Sequence, residues 1–254
     1  MRLESRLIVV FIIFSLVLLP AYAGEWLDEF DQEELNEEWS KITDRPQEQT
    51  TFEAIDGLLL INEPLGDFGH TVTDGRPLIL RKVPKGDYSI SMLVDTIPAV
   101  PASDYWLGLF IIGRDGNNAA LAENWATVTI GGSAGDTKAL IGSMVDNTWA
   151  DKGHFDIPPW PIYLKIEKAD TMYSGYYKEN LGDDWKLIGA PWEHDMKNPE
   201  LAGIGFVNSW GGANVTIVVE SFSLEGSAVA SMSVESDGKL ADTWGHLKSK
   251  NSYQ

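Results

Sequence analysis

The stretch that decides the fold runs from Ile162-Tyr163-Leu164-Lys165-Ile166-Glu167-Lys168, through a turn at Ala169-Asp170, to Thr171–Lys178 with Met172-Tyr173-Ser174-Gly175-Tyr176-Tyr177 inside it. It ends at Asp184-Trp185-Lys186-Leu187-Ile188-Gly189. Ile162, Leu164 and Ile166 alternate with Tyr163, Lys165 and Glu167, the period of two that puts successive side chains on opposite faces of a strand. The short turn joins this strand to the next as an antiparallel hairpin. A third strand follows Leu181-Gly182-Asp183-Asp184. In it Trp185 and Leu187 share one face and Lys186 and Ile188 the other, so one face packs and the other is half wetted.

The same texture extends outward in both directions. Tyr88, Ile90, Met92 and Val94 alternate with Ser89, Ser91, Leu93 and Asp95, while Gly57-Leu58-Leu59-Leu60-Ile61 and Pro77-Leu78-Ile79-Leu80 are short apolar runs between turn residues. Tyr105 to Ile112 is apolar on both faces, which implies a central strand covered on both sides. About a dozen candidate strands recur at the ~8–12 residue spacing of an all-β sandwich. Helix signals are few: Asp31 to Trp39 and Pro199 to Ala202 each read as a single turn. There is no internal repeat.

Composition bounds the function. The chain has 254 residues, Lys+Arg 19 against Asp+Glu 38, a net charge of −19, no cysteine and ten tryptophans. Without cysteine there is no disulfide framework, thiolate metal site or cysteine nucleophile. Surface acidity of this size repels nucleic-acid backbones and anionic membrane surfaces. At the N-terminus, Arg2 and Arg6 precede an apolar run from Leu7 to Leu19, and Pro20-Ala21-Tyr22-Ala23 supplies small residues before Gly24. Residues 1–23 are therefore expected to be a signal peptide that leaves no membrane anchor after cleavage, giving a secreted or periplasmic protein; export without cysteine points to a bacterial host. Residues 24–225 are expected to form the sandwich. Residues 226–254 read as a Ser/Ala/Gly linker and a short tail in which Leu240, Trp244 and Leu247 could line one helical face, a frayed end or a docking element for another exported protein.

Several of these segments resemble the concanavalin A-like β-sandwich proteins. Asp28-Glu29-Phe30-Asp31 with Leu35 and Trp39 is similar to their entry strand. The block from Ile162 to Gly189 is similar to their central hairpins, and Ala202-Gly203-Ile204-Gly205-Phe206 with Val215 to Leu224 to their closing strands. The nearest branch is the C-terminal domain of bacterial β-xylosidases and related stand-alone secreted domains. The resemblance implies an antiparallel, two-sheet jelly-roll sandwich with one concave sheet and ligands on that sheet or at the loops along its edge. It further implies that Phe222 and Leu224 close the sandwich against the strand carrying Phe30.

Catalytic motifs of this scaffold are not found. Its glycosidases carry a Glu-x-Asp-x-(x)-Glu strand, whose paired carboxylates do the acid/base work, and its polysaccharide lyases a Gln-x-His strand; neither is present. The acidic residues Asp28, Glu29, Asp31, Glu33, Glu34, Glu37 and Glu38 cluster near the entry strand and read as a solvated face. His70, His154, His194 and His246 are scattered in loop-like settings and read as surface residues. The better evidence is aromatic, because sugar rings present an apolar face and a polar rim that an aromatic plate with neighbouring amides matches. The candidate binding residues are Tyr105, Trp106, Trp125, Trp149, Asn208 and Trp210, with Trp149 and Trp210 read as loop-borne. The expected function is non-catalytic, lectin-like binding of a glycan or polysaccharide; a glycoside hydrolase or lyase on the same scaffold and a protein-interaction module are the alternatives. The resemblance also implies a structural Ca²⁺ near the joined termini, with Asp28 and Glu220 as candidate ligands; no other cofactor is expected.

Overall fold

A computed structural model of the chain describes residues 24–42, 50–64, 77–97, 104–113, 124–131, 138–146, 148–196, 199–211 and 214–229. They form strands β1 (Gly24–Asp28), β2 (Ser40–Ile42), β3 (Thr51–Ile55), β4 (Leu58–Pro64), β5 (Leu78–Lys82), β6 (Tyr88–Thr96), β7 (Asp104–Gly113) and β8 (Trp125–Gly131). These are followed by β9 (Lys138–Val145), β10 (Thr148–Asp156), β11 (Ile162–Ala169), β12 (Met172–Lys178), β13 (Lys186–Glu193), β14 (Pro199–Trp210) and β15 (Asn214–Gly226). The strands build two antiparallel sheets. Sheet A has the order β13-β12-β11-β6-β15-β4-β3, with β1 also on β15, and sheet B has the order β10-β9-β8-β7-β14-β5-β2.

The quoted stretch folds as its periodicity dictates. β11 pairs with β12 through a tight turn that sets Ala169 opposite Met172, with Asp170 at φ 54° and its N–H bonded to the Asp87 carboxylate at 2.7 Å. Ile162, Leu164 and Ile166 point into the core with Ile90, Met92 and Val94 of β6. In β13, Ile188 faces the core and Leu187 faces out. The β3–β4 hairpin turns on Asp56-Gly57, both with positive φ, the pair that a two-residue turn between twisted strands requires. β7 lies between β8 and β14 and is covered on both faces along Tyr105–Gly113.

The termini of the domain join as expected. β1 pairs with β15 so that Asp28 stands opposite Phe222, and Trp26, Phe30, Trp39 and Phe222 form one aromatic cluster with ring centroids 5.0–6.5 Å apart. Asp28 ties it together, accepting from Trp39 Nε1 at 2.7 Å and from the Phe30 N–H at 2.9 Å. The guanidinium of buried Arg81 lies 3.4 Å from the Trp26 ring centroid and 3.0 Å from Glu38. Burial lowers its pKa to about 10, against the opposing pull of Glu38 and Asp28.

Three local expectations are corrected. Pro199–Ala202 is not a helical turn but the start of β14, paired with β5 and β7, because a central strand gains a ladder on both sides that an isolated turn cannot match. Asp31–Trp39 contains bends and turns without a helix. The two tryptophans read as loop-borne both stand in strands, Trp149 in β10, just past Asp146 at φ 47°, and Trp210 as the last residue of β14. The expected signal peptide at 1–23 and the tail beyond Val229 lie outside the described residues, and no helix among the described residues is long and apolar enough to cross a membrane.

Candidate functional site

The outer face of sheet B, turned away from sheet A, is where all the nominated aromatics but Tyr105 fall. Alternation along β7 sends Leu107, Leu109 and Ile111 into the core between the sheets and Trp106, Phe110 and Ile112 to the outer face. Trp125 of β8, Leu140 and Met144 of β9, and Leu78 and Leu80 of β5 join the latter as a second apolar cluster. It is a packed layer. Phe110 and Trp125 are fully buried, with centroids 5.4 Å apart, and Trp149 of β10 packs at 5.1 Å from Trp125. Gly142 of β9 makes that contact possible, since a Cβ there would stand 1.9 Å from the Trp149 ring. The hydroxyls of buried Thr127 and Thr129 are turned to the carbonyls of Leu109 and Leu140, leaving neither hydroxyl free in the middle of this face.

The end of the face is different. Asp104 and Trp106 of β7 pair with Trp210 and Asn208 of β14, so all four project from the same side. Asp104 accepts from Trp106 Nε1 at 3.0 Å and from Asn208 Nδ2 at 3.3 Å. Across the sheet, the His154 ring meets Trp106 edge-on at 5.1 Å. β8 and β9 lie between their strands, a separation of ~14 Å in a flat sheet. The two side chains together span it, with Gly131 opposite Trp106 offering no side chain in between. Asp151 holds that histidine, its carboxylate 3.1 Å from Nε2 and 2.7 Å from the Gly153 N–H. Gly131 and Lys138 complete the register row between Trp106 and Asp156.

Two properties of this end point to a ligand. Trp210 is 42% exposed, the most exposed aromatic among the described residues. Beside it, Asn208 is only 7% exposed and its Oδ1 has no hydrogen-bond partner, although a buried amide oxygen left unmet costs ~1–3 kcal/mol. A plate and an unmet acceptor side by side are what a hydroxylated ring engages.

The nominated residues thus divide. Trp106, Asn208 and Trp210 come together around Asp104 at the end of the face. Trp149 is half-buried against Trp125, and Trp125 is sealed beneath it. Tyr105 is corrected: its ring lies in the core between the sheets, 2% exposed, where desolvation raises its phenol pKa to about 12. Asp104, Asp151 and His154 were not singled out as binding residues; only the β7–β14 register and the Trp106–His154 contact across the sheet reveal them. Reading His194 as a surface residue is also corrected, since it is 2% exposed between Tyr173 and the Met144 carbonyl, to which its Nε2–H donates at 3.0 Å. Of the two calcium candidates, Asp28 spends both oxygens on Trp39 and Phe30, and Glu220 lies beside Tyr163. No three His, Asp or Glu side chains among the described residues gather as a metal cluster.

No protein-family model matches the sequence, and no curated protein matches it. Solved structures do match. A GH43 protein of Bacillus licheniformis aligns with TM-score 0.63 at 17% identity over 79% of this chain and 39% of its own. A xylan β-1,4-xylosidase of Bacillus halodurans aligns with TM-score 0.59 at 15% identity over 78% of this chain and 38% of its own. The fold is the concanavalin A-like β-sandwich. A CBM2 module of an evolved Dit protein from Lactobacillus casei phage J-1 aligns with TM-score 0.51 at 12% identity over 80% of this chain and 96% of its own. The chain spans about two fifths of the length of the GH43 proteins it matches.

Proposed function

We propose that this protein is an exported, non-catalytic carbohydrate-binding β-sandwich whose contact surface is the Asp104, Asn208 and Trp210 end of sheet B. The observation that carries the reading is the exposed Trp210 ring beside the buried, unmet Oδ1 of Asn208. The ring takes the C–H face of a sugar, Asn208 Oδ1 accepts from one hydroxyl, and the Asp104 carboxylate, already fixed by Trp106, accepts from another. Trp106 and the Asp151–His154 pair support the wall behind it. The fold's likeness to GH43 proteins and to a CBM2 module supports a place in glycan handling, and the hydrophobic start of the chain supports export.

Screening the purified protein on immobilised xylan, glucan, mannan and chitin fragments tests this reading, with Trp210→Ala and Asn208→Ala alongside. Binding to at least one glycan, lost in both variants while their melting temperatures stay near wild type, is the expected result. Absence of binding to every glycan, or binding indifferent to both substitutions, would overturn it. Release of new reducing ends or unsaturated products would instead favour an enzyme on this scaffold.

A further inference from the structure

The occupied centre of sheet B's outer face sets a limit on what its end can hold. A cleft that grips the interior of a polysaccharide needs a series of accessible plates along its floor, one for each sugar or two. Here the rings that would form that floor are spent on each other. Phe110 packs on Trp125, Trp125 is covered by Trp149, and Trp149 fills the space above Gly142. Trp106 is 5% exposed, its indole N–H given to Asp104 and its ring met by His154. The hydroxyls of Thr127 and Thr129, in the strand a long chain would cross, are bonded to backbone carbonyls. What remains among the described residues of this face is one exposed plate, Trp210, with one unmet acceptor beside it at the limit of the face.

From this we infer that the site accepts a single terminal sugar ring, the end of a chain or a short branch, and does not hold a chain interior. The inference rests on the carbohydrate-binding reading above and narrows it. Trp210 stacks the terminal ring, Asn208 Oδ1 and Asp104 take its hydroxyls, and the rest of the chain leaves toward solvent without further contact. Affinity is then set by the first one or two residues.

Titration calorimetry of the wild-type protein with xylose, xylobiose and xylohexaose, and with the corresponding gluco- and manno-series, tests it. In whichever series binds, the expected result is a disaccharide and a hexasaccharide of equal affinity within about threefold, and loss of both with Trp210→Ala. A hexasaccharide bound more than about tenfold tighter than the disaccharide, the gain of a further well-made contact, would overturn the terminal-ring inference and leave the binding function standing. Failure of all three series and of chitin fragments to bind would overturn both.

Discussion

The two outer faces of the sandwich carry similar aromatic side chains and use them differently. On sheet A, Tyr163, Tyr176 and Trp185 are interleaved with lysines. Lys165 Nζ lies 4.6 Å from the Tyr176 centroid and 4.8 Å from that of Trp185, and Lys178 Nζ lies 5.0 Å from Tyr163 and 4.7 Å from Trp185. The cations have their own partners as well, Glu167 at 3.5 Å for Lys165 and the Leu181 carbonyl at 2.7 Å for Lys178. On sheet B the rings pack on one another, and a single ring at the end of the face is left over beside an unmet amide oxygen. An aromatic surface is therefore not by itself a binding surface. What distinguishes the site is a ring with no ring partner among the described residues and a polar group whose bonding capacity the fold leaves open.

This contrast can be broken at its strongest point first. Trp125→Ala empties the middle of sheet B's outer layer and should cost ~3–5 kcal/mol, as deletion of a fully buried indole does, read as a lowered midpoint in urea unfolding. Gly142→Ala attacks the same layer from below. Its new Cβ forces the Trp149 ring away from Trp125, an overpacking loss of ~1–3 kcal/mol, with terminal-ring binding unchanged at temperatures where the variant is folded.

The next effect depends on pH. Burial holds the His194 imidazole below its ordinary range, outweighing the opposing bonds to the Met144 and Trp125 backbone. The folded state therefore favours the neutral ring, while the unfolded chain takes up a proton near pH 6.5. The stability contributed is fully present above that value and is lost as pH falls from there toward the lower folded-state pKa. Urea unfolding between pH 8 and 5 should show this decline in wild type and a flatter profile in His194→Gln. The smallest effect belongs to sheet A, where Lys165→Met removes cation–π contacts worth ~0.5–1 kcal/mol at a partly exposed site and should leave glycan binding untouched.

The strands most readable from the amino-acid order are those with one face in the core. β6 and β11 alternate plainly, and their register follows. Tyr105 and Trp106 show where that reasoning stops: β7 is apolar on both faces, so period two separates the neighbours without saying which set lies between the sheets, and both were nominated. Asn208 and Trp210 share a face with Trp106 only because β14 carries an irregularity between Phe206 and Asn208, which no residue type announces. The polar run Asp146-Asn147-Thr148 before Trp149 reads as a loop, and the burial of that tryptophan depends on Gly142, a neighbour supplied by pairing across strands. Asp151 and His154 escaped for a like reason, since they reach Trp106 only across two intervening strands. The Asp56-Gly57 turn, by contrast, was a legible local signal.

The central claim is that sheet B's Trp210 end, and not the cation-filled aromatic face of sheet A, meets the sugar. Calorimetric titration of a bound disaccharide into Trp210→Ala and Trp185→Ala, with the melting temperature of each recorded on the same sample, tests it most directly. The account predicts that Trp210→Ala loses at least about tenfold in affinity, the equivalent of ~1.4 kcal/mol, with little change in melting temperature, while Trp185→Ala binds as wild type does. Unchanged binding in Trp210→Ala, or binding lost in Trp185→Ala alone, would contradict it.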